Sequence, residues 1–229
     1  MTKSDKVKAH FEEEAAEFDE LILKLIPHYE EMINALISSI PFKKDDSIKV
    51  MDLGCGTGTI TKALKEEFKD AQVTCLDLAE NMLEMAKIKL QEYQDIEYVI
   101  GDFYHYNFAE KYDVIGSSLA MHHLVTDEDK KEFYAKIHDA LNPGGVFLNA
   151  DVVLGSNSRI EKLYIAKWKE FMSLSVSMKE IEEKWIPKAY AEDHPAKLID
   201  HIDWLREIGF KDVDVIWKHY GRAVYGGYK

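Results

Sequence analysis

Asp52-Leu53-Gly54-Cys55-Gly56-Thr57-Gly58 sets one carboxylate two residues ahead of three alternating glycines. Glycines let the backbone turn tightly and let a ligand approach without meeting a Cβ. A bare strand-to-helix turn needs fewer of them. Asp77 follows about twenty residues later, where an acid can accept both hydroxyls of a ribose. It would equally serve as the N-cap of the helix after it. His122-His123 is a further candidate: a neutral imidazole can take a proton from an acceptor hydroxyl or amine near pH 7. The plainer alternative has one His packed under a ligand and the other facing solvent. A metal role is not expected of the pair, because adjacent residues seldom both point at one ion and no Cys or acid cluster lies nearby in sequence.

These residues need elements to hold them. Residues 6–40 have the three-and-four spacing of helix, with Pro27 expected to end one helix and enter the first turn of the next. Strands are expected at Ile48–Leu53, Ala71–Leu78, Ile96–Gly101, Tyr112–Leu119 and Val146–Val153. Helices at Thr59–Phe68, Glu80–Tyr93 and Asp127–Leu141 alternate with them, the last closed by the turn Asn142-Pro143-Gly144-Gly145. Such alternation means an α/β fold with a mainly parallel sheet covered on both faces, and the apolar strands agree. The first glycine loop then sits where an open sheet of this kind binds ligands. Gly155–Ala196 is helical, aromatic-rich and too long for a simple connection, so an inserted cap is expected. Tyr164, Trp168, Phe171 and Ser175 share one face of it, either as a substrate box or as ordinary core packing. After a helix at Leu198–Ile208, the strands Val213–Trp217 and Ala223–Tyr228 should form a hairpin.

The loop distinguishes between two ligand classes. In the dinucleotide fingerprint G-x-G-x-x-G the third glycine would fall on Thr59, and Gly58 comes one residue early. Asp52 would repel a pyrophosphate but suits the ammonium of S-adenosylmethionine. The wider pattern resembles class I S-adenosylmethionine-dependent methyltransferases. Asp52 through Gly58 resembles their first motif, Cys75 through Leu83 their second, and Gly101-Asp102-Phe103 their third. Tyr112–Ile115 with Leu119–Leu124 is similar to their fourth strand and the segment after it, and Leu141–Gly145 to the turn before strand five. The resemblance spans residues 10–228. It implies a Rossmann-like seven-stranded sheet of order 3-2-1-4-5-7-6, with strand seven antiparallel and a helical cap. It also implies cofactor contacts from Asp52, Gly54, Cys55, Gly56, Thr57, Asp77, Leu78, Met82, Asp102 and Phe103, and S-adenosylhomocysteine as product.

A narrower resemblance runs to carboxy-S-adenosylmethionine synthases, through Phe18-Asp19 and Ile26-Pro27-His28-Tyr29. It implies that Tyr29 touches the cofactor and Ser118 holds its amino acid end. That family needs a cap arginine to grip an added carboxylate, and Trp185 stands at the matching position. Tryptophan cannot pair with a carboxylate as guanidinium does. The expected enzyme therefore transfers a methyl group from S-adenosylmethionine to a small-molecule acceptor, with His123 as the candidate catalytic residue. The carboxylated-cofactor enzyme and a non-catalytic binding protein are the alternatives.

Bulk properties narrow the partners. The 229 residues suit one domain, with 1–42 and 155–196 as its helical caps. Net charge is −13, with only three arginines, Arg159, Arg206 and Arg222. Such a chain is poorly suited to a nucleic acid backbone. The acid run Glu12-Glu13-Glu14 reads as a solvated helix face. Cys55 and Cys75 read as free thiols of a reducing compartment. No apolar run would span a bilayer and the N-terminus has no apolar signal core, so a cytoplasmic location is expected. The oligomeric state is left between monomer and homodimer.

Overall fold

The computed structural model describes residues 18–229. The expected helix over 6–17 and the Glu12–Glu14 run lie outside them. A seven-stranded sheet of order β3-β2-β1-β4-β5-β7-β6 runs through the molecule. Its strands are β1 (Lys49–Leu53), β2 (Gln72–Asp77), β3 (Ile96–Ile100), β4 (Tyr112–Ser118), β5 (Leu141–Val152), β6 (Lys211–His219) and β7 (Arg222–Tyr228). The first five pair in parallel, and β7 runs antiparallel to both β5 and β6. This is the expected fold and strand order.

Two cores form because the central strands are apolar on both faces. Met51, Leu53, Ile115 and Phe147 pack under α5 (Asp127–Ala140) and α9 (Leu198–Ile208). Their neighbours Val50, Val114, Val146 and Leu148 pack under α2 (Tyr29–Ser38) and α3 (Thr59–Glu67). In α2 the buried residues Met32, Ile33, Leu36 and Ile37 recur at the spacing of one helix face. Thr126 and Asp129 close a capping box that starts α5. The remaining helices are α1 (Phe18–Leu25), α4 (Glu80–Lys89), α6 (Ser158–Met172), α7 (Met178–Glu180) and α8 (Ile186–Glu192), with a π turn at Ile181–Trp185 between the last two.

Three local expectations are corrected. Pro27 does not enter the first turn of α2: it precedes the N-cap His28, which takes φ 56°. Asn142–Gly145 is not a turn outside the strand but a bulge within β5. Leu141 already pairs with Tyr112, and the register then jumps to Val114 opposite Val146. The β6–β7 hairpin is tighter than expected, with His219 paired to Arg222 across Tyr220-Gly221.

Candidate functional site

The first crossing of the sheet, from β1 into α3, opens a cavity of about 320 Å³ at the carboxyl ends of the strands. Every expected cofactor contact lines it, namely Tyr29, Asp52, Gly54, Cys55, Gly56, Thr57, Asp77, Leu78, Met82, Asp102, Phe103 and Ser118, with His123 on one side. They come from six separate stretches of chain, which the strand order brings to one edge.

The glycine loop shows why glycine is needed twice over. Gly54 has φ +68°, and a Cβ there would lie 2.3 Å from the Ala120 Cβ. That closeness lets the loop pack against the end of β4. Gly56 has φ +53° with nothing within 4 Å of a built Cβ. It leaves open the space that a ligand would take beside the loop. Asp77 holds the loop from the next strand: its Oδ2 accepts from the Gly56 N–H at 2.8 Å and its Oδ1 from the Ala79 N–H at 2.9 Å. The N-cap of α4 is Ala79, so Asp77 tightens the turn ahead of that helix and does not cap it. The Asp77 carboxylate borders the cavity, where a carboxylate can accept from ribose hydroxyls.

Asp52 is fully buried. Its Oδ2 accepts from the Thr61 hydroxyl at 2.7 Å, while Oδ1 is buried without a partner. Burial pushes its carboxyl up to about 7, against the Thr61 hydrogen bond and with help from the charge of Asp77. The Ser118 hydroxyl at the end of β4 is likewise buried without a partner of normal geometry. Tyr29 lies beside Ser118 and Thr59, and burial raises its phenol to about 12. It therefore stays a proton donor. An unpartnered carboxylate oxygen and an unpartnered hydroxyl in one pocket suit a ligand end that carries both donors and acceptors. The ammonium and carboxylate of an amino acid are such an end. Phe103 stacks on Phe133 at 4.9 Å, which fixes an aromatic wall at the other end.

Some site residues were absent from the sequence expectations. Phe18 lines the cavity, and its neighbour Asp19 ties α1 to the glycine loop. The Thr57 hydroxyl donates to Asp19 at 2.6 Å, and Lys89 reaches Asp19 at 2.7 Å and Thr57 at 2.8 Å. Phe18-Asp19 was visible as a motif; Lys89, on α4, carried no signal. Tyr104 also lines the cavity and accepts from the Val125 N–H.

His122 and His123 have different environments. His122 is buried with Nδ1 2.5 Å from Asp151 and Nε2 3.5 Å from Asp193. Burial works against its proton, but the two carboxylates outweigh it and raise the imidazole to about 10. His123 moves the other way: burial and the neighbouring His122 lower it to about 3. It is neutral at pH 7, as expected, but far less basic than a free imidazole. The expectation that adjacent histidines diverge from any shared ion is also corrected. His122, His123 and Asp193 each aim a ligand atom at one region, all within 4.8 Å of one another. The 3-10 turn Met121–His123 brings the rings together, with centroids 4.2 Å apart.

The 155–196 segment differs from its expected role. None of its residues lines the large cavity. Trp168 donates to the Leu25 carbonyl at 2.7 Å, and Trp168, Phe171 and Leu21 pack together, so this face is core packing against α1. Trp185 is buried and donates to Glu180, away from the cavity. The segment instead borders a second, 80 Å³ cavity with Asp193 and Arg222 in its wall, and it meets the first site through Asp193. Among the described residues no helix is long and apolar enough to cross a membrane, and Cys55 and Cys75 are both free thiols.

Residues 50–145 match the family model described as a methyltransferase domain. The chain is 24% identical over 222 residues to the carboxy-S-adenosyl-L-methionine synthase of Nautilia profundicola, covering 95% of this chain and 93% of that one. Among solved structures it is similar to PigF with SAH, with a TM-score of 0.67 at 17% identity over 99% of this chain. It is also similar to the phosphoethanolamine N-methyltransferase 2 of Haemonchus contortus in complex with S-adenosyl-L-methionine, with a TM-score of 0.60 at 22% identity over 82% of this chain. The chain spans 62% and 38% of the length of those two. The expected class I methyltransferase fold is borne out.

Proposed function

We propose that this chain, whose residues 50–145 carry a class I methyltransferase domain, moves the methyl group of S-adenosylmethionine to a small-molecule acceptor. The observation that supports this best is the convergence of the twelve expected cofactor-contact residues on one cavity with unpartnered polar atoms at one end. Asp52 and Ser118 hold the amino acid end of the cofactor, with the Tyr29 phenol closing over it. Asp77 takes the ribose hydroxyls, and Asp102 with Phe103 borders the adenine. The bound cofactor supplies a methyl group already activated on a sulfonium. The protein's task is to position donor and acceptor and to exclude water. α1, latched by Asp19, Thr57 and Lys89, is the element that shuts solvent out. His123 faces the acceptor side as a neutral hydrogen-bonding wall.

The names of the full-length relatives favour a second reading, in which the cofactor carries an added carboxylate. The cavity argues against it. Among the described residues no Lys or Arg lines it, and a buried carboxylate without a cationic partner is costly. Mass spectrometry of the ligand that copurifies separates the two. The mass of S-adenosylmethionine or S-adenosylhomocysteine supports the methyltransferase; a carboxylated sulfonium overturns it. Transfer of a labelled methyl group to a panel of small amines, hydroxyls and thiols then tests the reaction.

A further inference from the structure

We propose that His122, His123 and Asp193 form a divalent metal site, with zinc its best-suited occupant, on the wall between the two cavities. Two observations carry it. The first is spacing. Asp193 Oδ1 lies 3.5 Å from His122 Nε2 and 3.8 Å from His123 Nδ1. A tetrahedral ion with bonds of about 2.0–2.1 Å sets neighbouring ligand atoms roughly 3.3 Å apart. All three atoms lie within 4.8 Å of one another, so closing on one ion needs the two rings to draw in and His123 Nδ1 to turn from the Glu192 carbonyl 3.5 Å away, with a fourth position left open.

The second is support behind the ligands. A metal-bound histidine usually gives its other ring nitrogen to a carboxylate, which fixes its tautomer and direction. His122 does this with Asp151 at 2.5 Å. Asp151 is itself held, accepting from the His122 and Val152 N–H groups at 3.1 and 2.8 Å. Asp193 is also placed: the next residue donates its backbone N–H to the His122 carbonyl at 2.8 Å. Two long-separated stretches of chain are thus pinned to each other at the ligand set.

The site has a use in the proposed reaction. His123 lines the cofactor cavity and Asp193 the cavity under α6 and α8. An ion between them would hold an oxygen, nitrogen or sulfur of the acceptor and favour its deprotonated form. That use rests on the methyltransferase reading; the metal binding does not.

The test uses untagged full-length protein stripped with chelator, then titrated with Zn2+ and with Co2+. The expected result is one equivalent of tightly held metal and the visible absorption of a low-coordinate Co2+ ion. Asp193→Asn and His123→Gln should each weaken binding at least tenfold, and Asp151→Asn by ten- to a hundredfold. Cys75→Ser, outside both cavities, should leave binding unchanged. Circular dichroism verifies that each variant is folded, and S-adenosylhomocysteine titration of the same stripped protein reads the cofactor site separately. Failure to bind metal, or binding indifferent to both His123→Gln and Asp193→Asn, overturns the proposal while leaving the cofactor assignment standing.

Discussion

Asp52 is the residue whose chemistry changes most if the cofactor assignment is right. Burial holds its carboxyl up to about 7, so much of it is protonated below neutral pH. An ammonium placed beside Oδ1 favours the carboxylate and lowers that value. Binding therefore expels a proton, and affinity for S-adenosylmethionine should rise with pH up to about 7 and then level off. Calorimetry at pH 6 in buffers of different ionisation enthalpy reads the proton directly. Heats that do not depend on buffer would place the ammonium elsewhere. At this scale the sequence was informative where backbone geometry and charge both constrain a residue. Gly54 and Gly56 could be named because positive φ and close approach leave few alternatives. Asp193 could not, since it lies some seventy residues from His122 and joins it only through the path of the cap.

At the scale of elements, the sheet was legible because its strands are apolar on both faces and alternate with helices. The ends were less so: the bulge at Asn142–Gly145 looks in sequence like any Pro-Gly turn. The cap was legible as helix but not in its placement. Its aromatics pack on α1, and an apolar helix face does not disclose its partner. We propose that the wall that opens over the site is α1 and not 155–196. Among the described residues, the Asp19–Thr57–Lys89 contacts latch that helix to the loop, and these are partly exposed. Local opening there should be easy. Lys89→Ala is expected to speed hydrogen exchange in Phe18–Leu25, and bound S-adenosylhomocysteine should slow it again. Equal protection of α1 with and without ligand would mean that α1 is not a lid.

Across the whole molecule, the core under α5 and α9 contains a polar cluster beneath the last strands. The Tyr134 hydroxyl meets His201 Nδ1 at 2.8 Å and the Tyr225 hydroxyl at 3.0 Å. Burial lowers His201 to about 4. The unfolded chain takes up its proton near the ordinary value of about 6.5, before the folded one does. Stability from this residue is complete above about 6.5 and is lost as pH falls towards 4, by about 3 kcal/mol. Urea unfolding from pH 7.5 to 4.5 should show this decline, and His201→Phe should flatten it. An identical decline in the variant would trace the acid limb to other groups, such as Asp151 and Asp193.

The central claim is that the cavity between β1, β2 and β4 takes S-adenosylmethionine through Asp77. Calorimetric titration of the wild type and of Asp77→Ala with S-adenosylhomocysteine and with NADH tests it most directly. The account predicts one saturable site for S-adenosylhomocysteine and no measurable heat with NADH. It also predicts that folded Asp77→Ala binds S-adenosylhomocysteine more weakly by roughly 1.5–3 kcal/mol, the worth of hydrogen bonds to a charged group. Tight NADH binding without S-adenosylhomocysteine binding, or an unchanged dissociation constant in the folded variant, would contradict it.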